Sequence, residues 1–505
     1  MSTAQTGDVR QYEPPPNGWR TFLIVWATQS LSVLGSGVAF FALTIWLAQV
    51  LYPRPEQKPE LAAAISLISL GFALPTVFMA PIAGAWADRH DRKRTMIAAD
   101  AVNGCLSLTL LVLVTANALQ LWMLVVIVLM FGIAGAFHGS AFDTSYAMLV
   151  PERQLPRANG MMQTMWSLSG ILTPGIAAFL ISLPSVLRDS GGGGAHALAG
   201  LIGGLRDGTP LALAVDAITF FIAAIVPVFL YIPSPQRTDL ATPTGQRRKS
   251  LMADVKEGAL YIWHRRALLW LLGTFTVANF VGSPIGVFQP LIVKFNLAPD
   301  WTALGLTFDK ALALVATVSS IGGVAGGLFI SVWGGLKQRR VYGVLVPMII
   351  AGMAQMILGL SPLLFLTAAM AGLMEGMIPV MNAHSQAIWQ TQTPRHLQGR
   401  VFAVRRVIAQ CTWPLSTALA GLLGGLFNPG MVMTVLGGIL VLFCTAQLFN
   451  PYLMRVEDKA WLDRLAAERG KPATPTSEPE PPPEEARAEQ GEESPVTTTG
   501  TTIET

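Results

Sequence analysis

The chain has 505 residues, 52% of them apolar and 13% charged, and its mean hydropathy is +0.50. A soluble protein of this length exposes far more charge, so the composition excludes a water-soluble enzyme and points to an integral membrane protein. The net charge of +4 comes from basic loops offset by an acidic tail and calls for no nucleic-acid partner.

A helix crossing about 30 Å of hydrocarbon needs about 20 mostly apolar residues. Twelve runs of that kind follow one another: 21–50, 61–86, 95–116, 119–141, 158–185, 209–232, 267–292, 309–333, 341–360, 362–388, 401–427 and 430–452. The predicted layout is an N-terminal polar segment (1–20), a six-helix bundle (21–232), a central loop with an interfacial helix (233–266), a second six-helix bundle (267–454) and a disordered acidic tail (455–505).

Span 1 carries Trp26 and Gln29, with Ser32 and Ser36 on the same helical face. Span 2 ends in "GAWADRHDRKR", which packs six charged side chains and a histidine into eleven residues. Physically, Gly84 lets span 2 approach a neighbouring helix closely. Asp88 is placed to meet the positive N-terminal end of a helix or a nearby arginine. Asp100 lies near the start of span 3, Phe137 and His138 in span 4, and Asp216 in span 6. The glycine-rich stretch 190–205 has no preceding strand and no following lysine, so it is a flexible insertion and not a phosphate cradle.

Span 7 holds Asn279, Phe280 and Gln289. In span 10, Glu375 is followed by Pro379, Asn382 and Gln386, a spacing that draws one polar stripe along one face. Ionisable groups within a membrane are costly and usually functional. Glu375, Asp100 and Asp216 are therefore the candidates for proton coupling, with Glu375 first. Trp26, Gln29, Phe137, Asn279, Phe280, Gln289 and Asn382 are candidates for lining a substrate cavity of mixed polarity. Arg405 and Arg406 read as interfacial, and His138 and His384 as hydrogen-bonded helix residues. No metal site or ATP-binding motif is present, and Cys105, Cys411 and Cys444 read as small core residues.

Orientation follows from lysine and arginine in the short loops. One alternating set carries Arg89, Arg92, Lys93, Arg94, Arg153, Arg157, Arg237, Arg247, Arg248, Lys249, Lys337, Arg339, Arg340, Arg395 and Arg400. The other set is much poorer, so the first set and both termini are expected in the cytoplasm.

The halves read as copies. Gln29, Ser32 and Ser36 recur 247 residues later as Thr276, Asn279 and Ser283, and Trp86 and Arg92 recur at the same offset as Trp333 and Arg339. Duplicated six-helix halves place a binding site near the bilayer midplane between them.

"GAWADRHDRKR" resembles the loop 2–3 signature of the major facilitator superfamily. "DRHDRKRTMIAAD", "AMLVPERQLPRANGMMQ", "AVDAITFFIAA", "DVKEGALYIW" and "QTPRHLQGRVFAV" look like its drug–proton antiporter branch, which includes macrolide-efflux and enterobactin-exporter proteins. Asp91 departs from the usual glycine of the signature, and the second copy has Gly335 where the first has Asp88. The resemblance implies an all-α fold of twelve helices in two pseudo-repeats, with spans 1, 4, 7 and 10 around the cavity. It implies a latch of Gly84, Asp88, Arg89, Arg92, Lys93 and Arg400 that holds the outward-open state at the start of span 11. It also implies a monomeric exporter of amphipathic small molecules in the bacterial cytoplasmic membrane, with the proton gradient as energy source and no cofactor. The alternatives are a lysophospholipid flippase or uncoupled facilitator and, from another class, a membrane scaffold or sensor that does not transport.

Overall fold

The computed structural model describes residues 15–87, 89–189, 202, 204–233, 251–394, 397–458, 461 and 464. Asp88, the glycine-rich insertion, the polar part of the central loop and most of the acidic tail lie outside these residues. The chain divides into a unit of residues 1–457, which holds every span, and a second unit, 458–505.

The described residues are helical, with no strand among them. Twelve helices are long and apolar enough to cross a membrane. In the first half they are span 1 (Gly18–Leu51), span 2 (Pro55–Ala87), span 3 (Arg92–Thr115), span 4 (Leu121–Tyr146), span 5 (Arg157–Arg188) and span 6 (Thr209–Phe229). In the second half they are span 7 (Arg266–Asn296), span 8 (Phe308–Trp333), span 9 (Tyr342–Leu360), span 10 (Leu364–Gln392), span 11 (Gln398–Leu426) and span 12 (Pro429–Gln447). Each matches a run read from the sequence, and most extend beyond it, because helices continue past the hydrocarbon into their polar flanks.

Local sequence sets the ends. Asp91, the departure from the signature's glycine, is the N-cap of span 3: its carboxylate accepts from the backbone N–H of Arg94 at 3.1 Å. Such a cap is worth about 1 kcal/mol. Asn428 caps span 12 in the same way, through the N–H groups of Gly430 and Met431. Span 8 stops at Gly334 (φ 75°), followed by Gly335 (φ 75°). That left-handed turn, with His384 packed against Gly335, leaves no room for an acid like the one in the first copy.

The basic residues of the first copy have partners inside the first half. Arg92 donates to the carbonyls of Ala87 (3.2 Å) and Thr144 (3.3 Å), and Lys93 to those of Val228 and Leu230 (both 2.9 Å). Two cations of the charged loop thus satisfy carbonyls at or near the ends of neighbouring helices, which neutral residues could not do while also favouring the negative end of a helix.

The internal repeat is built into the helices. Span 1 ends in a π-helical turn, Leu47–Leu51, and span 7 in another, Ile292–Asn296, 245 residues on. In the first half Asp216 of span 6 accepts from Ser36 of span 1 (2.9 Å) and Ser107 of span 3 (2.5 Å). In the second half Gln355 of span 9 reaches the carbonyls of Val281 in span 7 (3.5 Å) and Met433 in span 12 (3.4 Å). One buried polar side chain therefore ties the corresponding three helices of each half.

The two ends of the bundle pack differently. At the far end from the termini, one apolar core runs through both halves, from Val38, Leu61 and Ile68 to Phe288, Leu291, Phe308 and Ala420. Toward the termini end the first half has clusters of its own, Phe22 with Leu149 and Ala158 and Val25 with Met96 and Phe142, while Ala351, Ala354 and Met374 form a separate cluster midway along the second half. Polar contacts also join the halves at the far end. At the far end Ser66 Oγ donates to the Thr417 carbonyl (2.6 Å) and Lys58 to that of Phe427 (3.0 Å), while Lys294 donates to the carbonyls of Ala48 and Tyr52. The far end is closed.

Lys294 is half-buried, and it joins span 7 to the end of span 1. A hydrogen bond from a charged donor contributes about 1.5–3 kcal/mol, equivalent to tenfold or more in a conformational equilibrium. Lys294→Met is therefore expected to loosen the far end. A cysteine at Ala420, 1% exposed here, reports it in a background without the three native cysteines. A membrane-impermeant maleimide should label it about tenfold faster in the Lys294→Met variant. Equal rates would show that Lys294 does not hold this end.

The central helix, Leu251–His264, precedes span 7 and packs against span 11 and the end of span 10. Glu257 pairs with Arg400 at 2.8 Å, Tyr261 donates to the Gln392 carbonyl at 2.6 Å, and Gly258 lies against the Arg400 backbone.

Candidate functional site

Toward the termini end the second half carries a cavity of about 470 Å³. Its wall in the second half comes from spans 7, 10 and 11, and two of these are broken where they line it. Span 7 breaks at Ser283–Pro284, and Ser283 Oγ donates to the carbonyl of Asn279 at 2.5 Å. Span 11 breaks at Cys411, just before Trp413 and Pro414. Asn279 joins the broken spans by donating to the Ala409 carbonyl at 2.9 Å. Discontinuous helices with freed backbone groups are tolerated in a membrane protein only where they line a cavity or are buried in protein.

Phe275, Phe402 and Trp413 give this wall its apolar surface, and Asn279, Asn382 and Gln386 its neutral polar groups. Its charges are Arg405 and Arg406. The Arg405 guanidinium donates to Gln386 Oε1 (2.7 Å) and Ser385 Oγ (3.3 Å) and sits 5.2 Å from the centroid of the Trp389 ring. The sequence reading placed both arginines at the interface. The structure adds that both line this cavity from span 11.

An acid of the first half acts on one of these arginines. Asp143 of span 4 is exposed, and its charge and that of Arg406 act on each other across the gap between the halves. Deeper in the first half, Asp100 is 1% exposed, accepts from Gln29 Nε2 at 3.0 Å, and lies 3.3 Å from His138 Nε2. His138 Nε2 is off the hydrogen-bond direction, so the contact is an ion pair in distance only. His384 differs: one ring nitrogen meets the Val380 carbonyl (2.7 Å) and the other accepts from the Leu336 N–H (2.8 Å), a fully satisfied structural histidine.

Of the residues expected to line the cavity, Asn279 and Asn382 are in its wall. Gln29 is engaged with Asp100, and Trp26 donates to the Met161 carbonyl at 3.0 Å. Phe137 packs edge-on against Trp86 at 5.9 Å, Phe280 offers its carbonyl to Ser416, and Gln289 has a buried Nε2 without a hydrogen-bond partner. Among the coupling candidates, Asp216 is the three-helix tie of the first half. Glu375 is half-buried on the stripe that continues to Asn382 and Gln386, beside the crossing with span 8 at Gly323.

Of the charged-loop residues expected to meet span 11, Asp88 lies outside the described residues. Among the described residues, nothing lies within 4 Å of where a Gly84 Cβ would sit, so Gly84 makes no close helix approach here. Arg89 is exposed, Arg92 and Lys93 serve the carbonyls described above, and Arg400 meets Glu257.

Twelve spans in two related halves define a fold, and a family model described as Major Facilitator Superfamily matches residues 25–407. The chain belongs to the major facilitator superfamily. It is a multi-pass membrane transporter and not an enzyme. Macrolide efflux protein A of Streptococcus pyogenes is 26% identical over 416 residues, covering 80% of this chain and 90% of that protein. The protein of the same name from Enterococcus faecalis is 27% identical over 70% of this chain and 98% of its own length. The multidrug efflux pump Tap of Mycolicibacterium fortuitum is 23% identical over 78% and 88%. Among solved structures, the nucleoside transporter NupG superposes with a TM-score of 0.55 at 13% identity, over 84% of this transporter and 98% of that chain. A bacterial homolog of the human lysosomal transporter Spinster, inward-facing and unoccupied, gives 0.57 at 14% identity, over 90% and 96%. At these identities the solved structures speak for the fold alone.

Proposed function

We propose that this transporter exports amphipathic small molecules from the bacterial cytoplasm by alternating access, driven by the proton gradient. The observation that carries the reading is the pairing of a closed far end with a cavity toward the termini end, which the basic loops place in the cytoplasm. That is the state in which an exporter loads. The relatives named for macrolide and multidrug efflux support the direction and the substrate class. A cavity walled by three aromatic rings and neutral amides suits bulky, partly apolar solutes.

Glu375 is the proton carrier in this mechanism, a half-buried acid on the face that leads into the cavity. Asp100 beside His138 is the second candidate. Asp216 is engaged in holding spans 1, 3 and 6 together, which favours a structural role. In the outward-open state the two halves close at the cytoplasmic end, and Gly84, Asp88 and the loop cations meet the start of span 11 there.

The test is efflux of a panel of amphipathic dyes and antibiotics from an efflux-deficient bacterium expressing the protein. Efflux that collapses on adding an uncoupler is the expected result. Efflux indifferent to the uncoupler would replace the coupled exporter with a facilitator. Absence of efflux for every compound would overturn the drug-export reading.

A further inference from the structure

The cavity wall in the second half holds a charge that no acid among the described residues pairs with. Arg405 is half-buried, and the three groups that its guanidinium meets, Gln386, Ser385 and Trp389, are all neutral. The charge that acts on it is that of Arg406, also positive. Asp143, the acid across the gap, acts on Arg406. Keeping a cation out of bulk water without a counterion is costly, and natural sites offset that cost by taking an anion.

Geometry adds to the charge. Gln386 and Ser385 hold the guanidinium in place through two of its five N–H donors, and the planar group is suited to gripping a carboxylate, sulfonate or phosphate with two parallel bonds. Phe275, Phe402 and Trp413 line the same cavity, where an apolar body attached to that anion would lie.

We propose that Arg405 is the anion-binding group of this cavity and that the preferred substrates are amphipathic organic anions. The acidic end of the solute binds at Arg405, with Arg406 flanking it, and the ring or chain packs on the three aromatic side chains. The inference rests on reading the cavity as the site of the transported solute. It goes beyond that reading by setting the sign of the solute's charge, which the relatives' names do not give.

Two xanthene dyes of similar frame and opposite charge, fluorescein (anionic) and rhodamine 123 (cationic), provide the test. Binding to the purified full-length protein in nanodiscs of neutral lipid would be followed by dye anisotropy, for wild type, Arg405→Gln and Arg405→Lys. Wild type is expected to bind fluorescein at least about tenfold more tightly than rhodamine 123. Arg405→Gln should lose that preference while keeping its hold on rhodamine 123, and Arg405→Lys should retain part of it. Wild-type protein that binds rhodamine 123 as tightly as fluorescein overturns the proposal without recourse to any variant. So does an Arg405→Gln protein, monodisperse in detergent, that keeps its preference for fluorescein. The outcome is separable from the export reading. Selective binding of the anion without uncoupler-sensitive efflux would sink export and leave the subsite standing, whereas uncoupler-sensitive efflux of cations alone would do the reverse.

Discussion

A Glu375→Gln transporter is expected to let its substrate equilibrate across the membrane but not to concentrate it on one side. The carboxyl is half-buried, has no hydrogen-bond or ion-pair partner among the described residues, and shares a helical face with Asn382 and Gln386 in the cavity wall. Asn382 is seven residues away, or about 10 Å along the helix axis. A group so placed can gain a proton from one side and lose it to the other as access changes, whereas glutamine is locked in the equivalent of the protonated form. One proton moving down about 100 mV delivers roughly 2.3 kcal/mol, enough to hold about a fortyfold substrate gradient. The variant should therefore fall from a gradient of that order to about one, with counterflow exchange in proteoliposomes preserved. A gradient equal to wild type would remove Glu375 from the coupling step and direct attention to Asp100 and His138.

Gly322→Leu should give a large loss of stability. Spans 8 and 10 meet backbone against backbone: a Cβ on Gly322 would fall 2.6 Å from Gly372 Cα, and one on Gly326 would fall 2.8 Å from Gly376 Cα. These are main-chain atoms, so no side-chain rotation relieves the overlap, and the two helices must separate. Membrane helices gain much of their association energy from such close approach. Overpacking typically costs 1–3 kcal/mol, and separating two backbones should reach or exceed about 3 kcal/mol. Gly327→Leu is the control, since nothing lies within 4 Å of its Cβ position. Thermal unfolding in detergent should show a marked drop in Tm for Gly322→Leu and little change for Gly327→Leu. A similar Tm for both would mean that the glycine contact is not what holds these spans together.

Much of the architecture was legible before any coordinates. Twelve apolar runs had to become helices, because in hydrocarbon every backbone polar group must bond within its own segment. The copy relation between the halves was visible in the polar face shared by spans 1 and 7, and the matching π-helical turns at Leu47–Leu51 and Ile292–Asn296 extend it. The polar stripe of span 10 was legible too, and Asn382 and Gln386 do line the cavity. Periodicity could not say which of the many polar and aromatic residues face the cavity and which face a neighbouring helix. Gln29 went to Asp100, Trp26 to the Met161 carbonyl and Phe137 to Trp86, while Phe402, Arg405 and Trp413 formed the wall.

The sequence by itself thus determined the number, order and length of the membrane helices and the duplication of the two halves. Those follow from hydropathy and from backbone hydrogen bonding within each helix, and both are local. Only the tertiary structure decided which end of the bundle is closed, which helices break at the cavity and where the charges sit. Arg405 became a cavity cation because spans 10 and 11 lie side by side with Gln386 and Ser385 within reach, and Asp216 became a tie because spans 1 and 3 brought serines to it. Such pairings join residues far apart in the chain, and the free energy of placing a charge depends on neighbours that no local window contains.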